Sequence, residues 1–300
     1  MLVVVGTIPD SSLPLVHGPV QLKSGVLSAQ DYCLPIGRGT SALVAAAAVT
    51  LKQLAEQDVH VVLAGDIGRG DGSRVVYRYL EENLGHFSTD VLVFHYLQPD
   101  VDWHNRVLFA VEDMPRRPTL IADAGFMYAA KMSGQASAYD IFTPDKGELA
   151  FLADEHAPHP FYTRGFLLHD HHSVPELVEK AYAHGDAARW LVVKGETDHI
   201  AERGHIVATI TEPLWEPMEA IGGTGDTLTG ILAALCTLSK DPLDACRLAA
   251  LTNRWIGRLA QPTPATQIGE LLPFIPEALE KAQSMMREES NGCAKIKRFD

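Results

Sequence analysis

Three hundred residues, 46% of them hydrophobic, suffice to bury one large core or two modest ones, which places the chain among the globular proteins. Lys and Arg total 25 against 38 Asp and Glu, and the formal charge of -13 repels a phosphate backbone; this excludes nucleic-acid binding as the main task but not an anionic small molecule in a local pocket. Cys33, Cys236, Cys246 and Cys293 have no metal-type spacing and read as reduced thiols of a cytoplasmic protein, no stretch is long enough to span a membrane, and "MLVVVGTIPD" lacks the basic start of a signal peptide.

Helical spacing appears first in "SALVAAAAVTLKQLAEQ". A strand pattern follows in "VHVVLAGD", which ends at Asp66 and opens the glycine-rich loop "GDIGRGDGSR". Further apolar runs are "VLVFHYL", "TLIADAG", "YDIFTPDKGE" and "RWLVVKGETD", with the helical "HSVPELVEKAYAHG" before the last of them. Strands alternating with helices predict a mostly parallel sheet with helices on both faces. Each run is apolar in its body and polar at its carboxyl end, the edge at which open α/β sheets bind ligands. The candidates there are Asp66, His95, Asp123, Thr143 to Glu148, and Lys194 to Asp198. Beyond Ile221 the chain reads as helical, through "DPLDACRLAALTNRWIGRLA" and "IGELLPFIPEALEKAQSMM", up to a charged, aperiodic tail from Arg287. With no repeat or linker, residues 1–286 are expected to form one domain and 287–300 a frayed end.

"AIGGTGDTLTGILAAL" is the most informative segment. Leu228, Ile231, Leu232, Leu235 and Leu238 make one apolar helical stripe, so Gly222, Gly223, Thr224 and Gly225 precede a helix N-terminus whose first amides lack intrahelical partners. Glycines allow a phosphate to approach those amides, and the helix dipole favours its charge. No Lys-Ser or Lys-Thr pair follows, so the segment is not a Walker A loop. Asp226 or Thr227 as a simple helix cap is the plainer explanation, but a cap needs one side chain and no glycine cluster. A carboxylate beside phosphate is disfavoured by repulsion, and general-base chemistry on a hydroxyl gives Asp226 a reason to be there.

The segment resembles the glycine-Asp signature of the ribokinase-like superfamily, and within it the ADP/ATP-dependent NAD(P)H-hydrate dehydratases. "LVVKGETDHIA" is similar to the family's Lys-Gly-x-x-Thr element, with Lys194 and Gly195 matching and Thr197 and Asp198 at or beside its Thr. "IFTPDKGELAFL" resembles Thr-Pro-His-Pro-Gly-Glu, and "LIADAG" resembles Asp-Ala-Asp-Ala with Asp123 as the second Asp. The likeness runs from about Thr119 to Leu259. It implies a three-layer ribokinase-like sandwich that takes ATP or ADP with Mg²⁺. It also implies nucleotide contacts at Lys194, Gly195, Thr197, Asp198 and Gly222 to Gly225, substrate contacts at Asp123, Thr143, Asp145 and Glu148, and Asp226 as the base. Two departures bear on the substrate: Asp145 and Lys146 replace His-Pro, and no N-terminal Gly-Gly-Ser element is present, "GRGTSALVAAAAV" and "GDIGRGDGSR" standing in its region. A sugar or alcohol kinase with the same site is the alternative, and a nucleotide sensor without turnover a second. A homo-oligomer stays open.

Other features have plainer readings. Asp145 and Glu148 have capping-box spacing, Lys194 is a strand-end cation suited to phosphate oxygens, and Arg69 or Arg74 either approaches a phosphate or ribose or sits in an ordinary loop. "HDHH" (His169 to His172) reads as a solvated loop in preference to a metal site. Asn253 either turns toward a bound base or is a satisfied buried amide.

Overall fold

The computed structural model describes residues 1–156 and 172–296, with side chains to residue 289; His169, Asp170 and His171 therefore lie outside the described residues. Among the described residues, eleven strands form one sheet: β1 (Leu2–Ile8), β2 (Val16–Lys23), β3 (Val26–Ala29), β4 (Tyr32–Leu34), β5 (Val59–Gly65), β6 (Val91–His95), β7 (Thr119–Asp123), β8 (Ile141–Phe142), β9 (Trp190–Val193), β10 (Asp198–Glu202) and β11 (His205–Ile210). Their order is β11-β10-β9-β8-β7-β6-β1-β5-β2-β3-β4. The six strands from β5 to β9 in that order pair in parallel, as the strand and helix alternation predicts. Antiparallel strands extend both edges. Two of these hairpins turn through two residues at positive φ, Ser24-Gly25 and Arg203-Gly204, the conformation that matches strand twist.

Helices cover both faces: α1 (Thr40–Ala55), α2 (Asp71–Asn83), α3 (Val101–Glu112), α4 (Gly125–Met132), α5 (Lys146–Ala153), α6 (Val174–Ala183), α7 (Thr224–Leu238), α8 (Pro242–Ala260), α9 (Ile268–Leu271) and α10 (Ile275–Ile296). Strand alternation divides the core. Leu2 and Val4 join the cluster under α1, α7, α8 and α10, while Val3 and Val5 join the one under α2 to α6. Each fully buried aliphatic side chain contributes about 1.5–3 kcal/mol. Among the described residues, no helix is long and apolar enough to cross a membrane.

The crossing of α1 and α7 matters most for the site. A Cβ added at Gly230 would lie 2.2 Å from the Leu43 carbonyl, so only glycine lets the two backbones meet there. The contact brings both helix N-termini to the carboxyl edge of the sheet. The stretch from Arg287, expected as an aperiodic tail, is instead helical as far as Ile296. The reason is local: Met285 and Met286 pack on the core, and Glu289 pairs with Arg247.

Candidate active site

Three strand ends and one helix start converge. β6 ends in His95, β7 in Asp123, β9 is followed by Lys194, and Asp226 lies in the first turn of α7. Lys194 Nζ is 3.0 and 3.2 Å from the two Asp123 carboxylate oxygens. Burial acts to lower the Lys194 pKa, but the charges of Asp123, Glu148 and Asp226 outweigh it and hold the ammonium above its usual range. Thr229 donates to Asp123 Oδ2 at 2.6 Å and meets Thr143 Oγ1 at 3.0 Å. Thr143, read as a substrate contact, is fully buried. It supports Asp123 through Thr229, its own backbone held to β7 by the Thr143 N–H to Ala122 O bond at 3.3 Å.

Asp226 is held by two groups far away in sequence. Its Oδ2 accepts the Gly39 N–H at 2.6 Å, at the start of α1, and its Oδ1 is 3.1 Å from His95 Nε2. Burial raises the carboxyl pKa, yet His95, Lys194 and the Gly39 amide together draw it below the ordinary value. The group is thereby kept ionised and fixed in direction, which is what a proton acceptor needs.

Gly223 precedes α7 with φ 107°, and a Cβ there would come within 2.6 Å of Ile268 Cγ1. No side chain caps the helix, and the first helical bond in this turn is Thr227 N–H to Gly223 O at 2.9 Å. The Gly225 and Asp226 amides lie ahead of it without an intrahelical acceptor. Lys194 lies over this turn, 3.3 Å from where a Gly225 Cβ would stand. Thr224 turns its hydroxyl inward to Met218 O and Ile221 O, leaving the backbone, not the side chain, to face a ligand.

A cavity of about 360 Å³ opens in front of these groups. It is lined by Gly223 to Asp226, Lys194, Gly195, Asp198, Asp123, Asp145 and Glu148, among others, so most of the residues picked out from sequence meet there. Thr197 and Gly222 do not line it; the Thr197 carbonyl faces His199 Nδ1 at 3.1 Å. Asp198 reaches the wall with its carboxylate already engaged, by Arg254 Nε at 2.7 Å and the Gly195 amide at 3.1 Å. Arg254 also donates to the carbonyls of Gly195, Glu196 and Thr211, which makes the pair a buried brace for the Lys-Gly turn. Asp145 and Glu148 form the capping box of α5 and line the cavity as well. Burial, with the nearby carboxylates, pushes Glu148 up to about 8 despite Lys194. Asn253 accepts from Thr227 at 2.8 Å at the cavity edge.

Tyr96 separates this cavity from a second one of about 450 Å³, lined by Thr7, Arg38, Gly39, Thr40, Asp66, Gly68 and Gln98. Tyr96 holds φ at 50°, a strained value for an aromatic residue, and this places its ring between the two. The loop read as a phosphate or ribose contact is closed on itself. Asp66 accepts from the amides of Gly68, Arg69, Gly70 and Ser73 and from the Ser73 hydroxyl, and Arg74 pairs with Asp71. Sequence reasoning noted His95 only as a strand end and gave Gly39, Thr40 and Tyr96 no role. The ligand atoms of His95, Asp123 and Asp226 fall within 4.8 Å of one another, but Lys194 and Thr229 already engage Asp123.

Residues 99–276, more than half of the chain, match the family model described as NAD(P)H-hydrate dehydratase. An uncharacterized protein of Methanocaldococcus jannaschii is 41% identical over 239 residues, 79% of this chain and 98% of that protein. The ADP-dependent (S)-NAD(P)H-hydrate dehydratase of Cenarchaeum symbiosum is 27% identical over 183 residues, so the match spans 59% of this chain and 58% of that enzyme. Among solved structures, a ribokinase-like protein of Enterococcus faecalis aligns with TM-score 0.56 at 15% identity, over 94% of this chain and 87% of the other. The ADP/ATP-dependent NAD(P)H-hydrate dehydratase of Bacillus subtilis, co-crystallized with ATP/Mg²⁺, aligns with TM-score 0.53 at 15% identity, over 94% and 89%. The chain therefore belongs to the NAD(P)H-hydrate dehydratase family of enzymes, built on the ribokinase-like fold.

Proposed function

We propose that this enzyme dehydrates hydrated NAD(P)H, using ADP or ATP as phosphoryl donor. Asp226 takes the proton of the hydrate's hydroxyl as that oxygen attacks the terminal phosphorus and the phosphorus–oxygen bond to the nucleotide breaks. Loss of phosphate together with a proton from the neighbouring carbon then restores the ring double bond. What carries the reading is the position of Asp226, anchored by Gly39 and His95 at the first turn of α7.

The amides of Gly225 and Asp226 and the ammonium of Lys194 fit a nucleotide's phosphates. Mg²⁺, when bound with the nucleotide, would supply neutralisation of the charge that develops on transfer. Three of the cleft's carboxylates are engaged internally: Asp123 by Lys194, Asp198 by Arg254 and Asp226 by His95. The second cavity, on the Gly39 side of Asp226, suits the part of the hydrate beyond the reacting ring.

Incubation of the protein with hydrated NADH, Mg²⁺ and either ADP or ATP tests this. Recovery of dihydronicotinamide absorbance with release of orthophosphate is the expected result. A stable phosphorylated product from a sugar or alcohol panel, without absorbance recovery, assigns the site to a kinase. Failure to form either product would overturn the proposal.

A further inference from the structure

His95 is fully buried and both of its ring nitrogens are engaged. Its Nδ1 is 2.9 Å from Thr40 Oγ1. That hydroxyl has one hydrogen, and the Thr7 carbonyl 2.8 Å away can only accept it. Thr40 therefore accepts from His95, and Nδ1 carries a proton. The other nitrogen, Nε2, is 3.1 Å from Asp226 Oδ1 and 3.9 Å from Asp123 Oδ2. A lone pair on Nε2 would face carboxylate oxygens, so that position holds a proton as well.

Charge balance leads to the same assignment. The groups facing the imidazole are Thr7 from β1, Thr40 from α1, the Tyr96 ring at 4.4 Å, Asp123 from β7 and Asp226 from α7, with Lys194 on the far side of Asp123. Two carboxylates and one ammonium leave an uncompensated negative charge against a fully buried ring, and one imidazolium cancels it.

We propose that His95 is a charged positioning residue for Asp226: a buried imidazolium, protonated on both ring nitrogens, that fixes the carboxylate's direction and keeps it deprotonated for the reaction. The claim about catalysis rests on the dehydratase reading; the claim about the proton does not. Long-range proton–nitrogen NMR of histidine-labelled protein, free of nucleotide and substrate, reads the protonation state directly, with the His95 signals assigned by their loss in His95→Gln. Protons on both His95 nitrogens are expected at the pH of the activity assay. In Asp226→Asn, the side-chain amide can offer Nε2 a hydrogen, and His95 is expected to become neutral there. A neutral His95 in the unsubstituted protein, or one that stays charged in Asp226→Asn, overturns the inference whether or not the enzyme turns over. In His95→Gln the acid limb of the pH–rate profile is expected to move to higher pH, since the carboxylate loses its cation. A rate loss equal at every pH would reduce His95 to packing and overturn the positioning role.

Discussion

The structure contains two glycine-led helix starts that face each other, and they are used in opposite ways. At α1, Gly39 has φ 73° and no side-chain cap; at α7, Gly223 has φ 107° and none either. The α1 start gives its amide to a protein carboxylate, Asp226. The α7 start carries that carboxylate and leaves the amides of its first turn toward the cavity. Similar backbone chemistry thus holds the reacting group on one side and is left for a ligand on the other.

The largest effect expected from breaking this arrangement is at Asp226. Asp226→Asn keeps an acceptor for Gly39 but cannot take a proton, so turnover should fall about 10²–10⁴-fold while calorimetric nucleotide affinity and the folded state persist. An unchanged rate would mean that the carboxylate serves only as a helix-to-helix tie. The second acid of the cleft wall provides a contrast. Arg254→Met strands Asp198 and is expected to cost about 3–5 kcal/mol in denaturant unfolding, a loss of stability with no specific loss of chemistry.

Smaller changes sharpen the comparison of the two helix starts. Gly223→Ala combines a left-handed φ with a 2.6 Å approach to Ile268, and about 1–3 kcal/mol of destabilisation is expected, with weakened nucleotide binding. Gly39→Ala meets nothing closer than Tyr96 at 3.5 Å, so it should cost only the backbone term for φ 73° and ψ -149°, about 1–3 kcal/mol, and leave nucleotide affinity unchanged. Equal losses of affinity in both variants would erase the proposed division of labour. A separate effect, read from the pH dependence of stability, concerns Glu148, whose folded pKa of about 8 exceeds its ordinary 4.5. A carboxyl raised on folding contributes stability that is present below about 4.5 and is lost as pH rises through about 8. Glu148→Gln should therefore flatten the pH dependence of the unfolding midpoint across that interval; an unchanged slope would show that the group titrates normally.

Sequence revealed what is local and hid what is distant. The glycines before the Leu228 stripe, the apolar bodies of β5 to β9 and the capping box at Asp145 are written in neighbouring residues, and the structure has them where the spacing places them. Lys194 and Asp123 were each legible as strand ends, although only the parallel register makes them meet. His95 looked like any polar strand terminus because its partner Asp226 lies 131 positions away. Asp198 looked like a ligand-facing acid because Arg254 is 56 positions away. Thr143 misled because a two-residue strand gives no alternation from which to tell the cavity side from the core. The edge hairpins β2 to β4 went unread: their turns have two residues at positive φ or the single such residue Gln30, and short polar strands carry little apolar signal.

The tie between Gly39 and Asp226 joins residues separated by 187 positions. During synthesis, the first helix emerges with its leading amide pointing at a space that stays vacant until Asp226 has been made, 187 residues later. The reactive centre is therefore completed only after every described strand has been made, and any shortened product that stops before α7 would be inert however well its amino-terminal strands had folded.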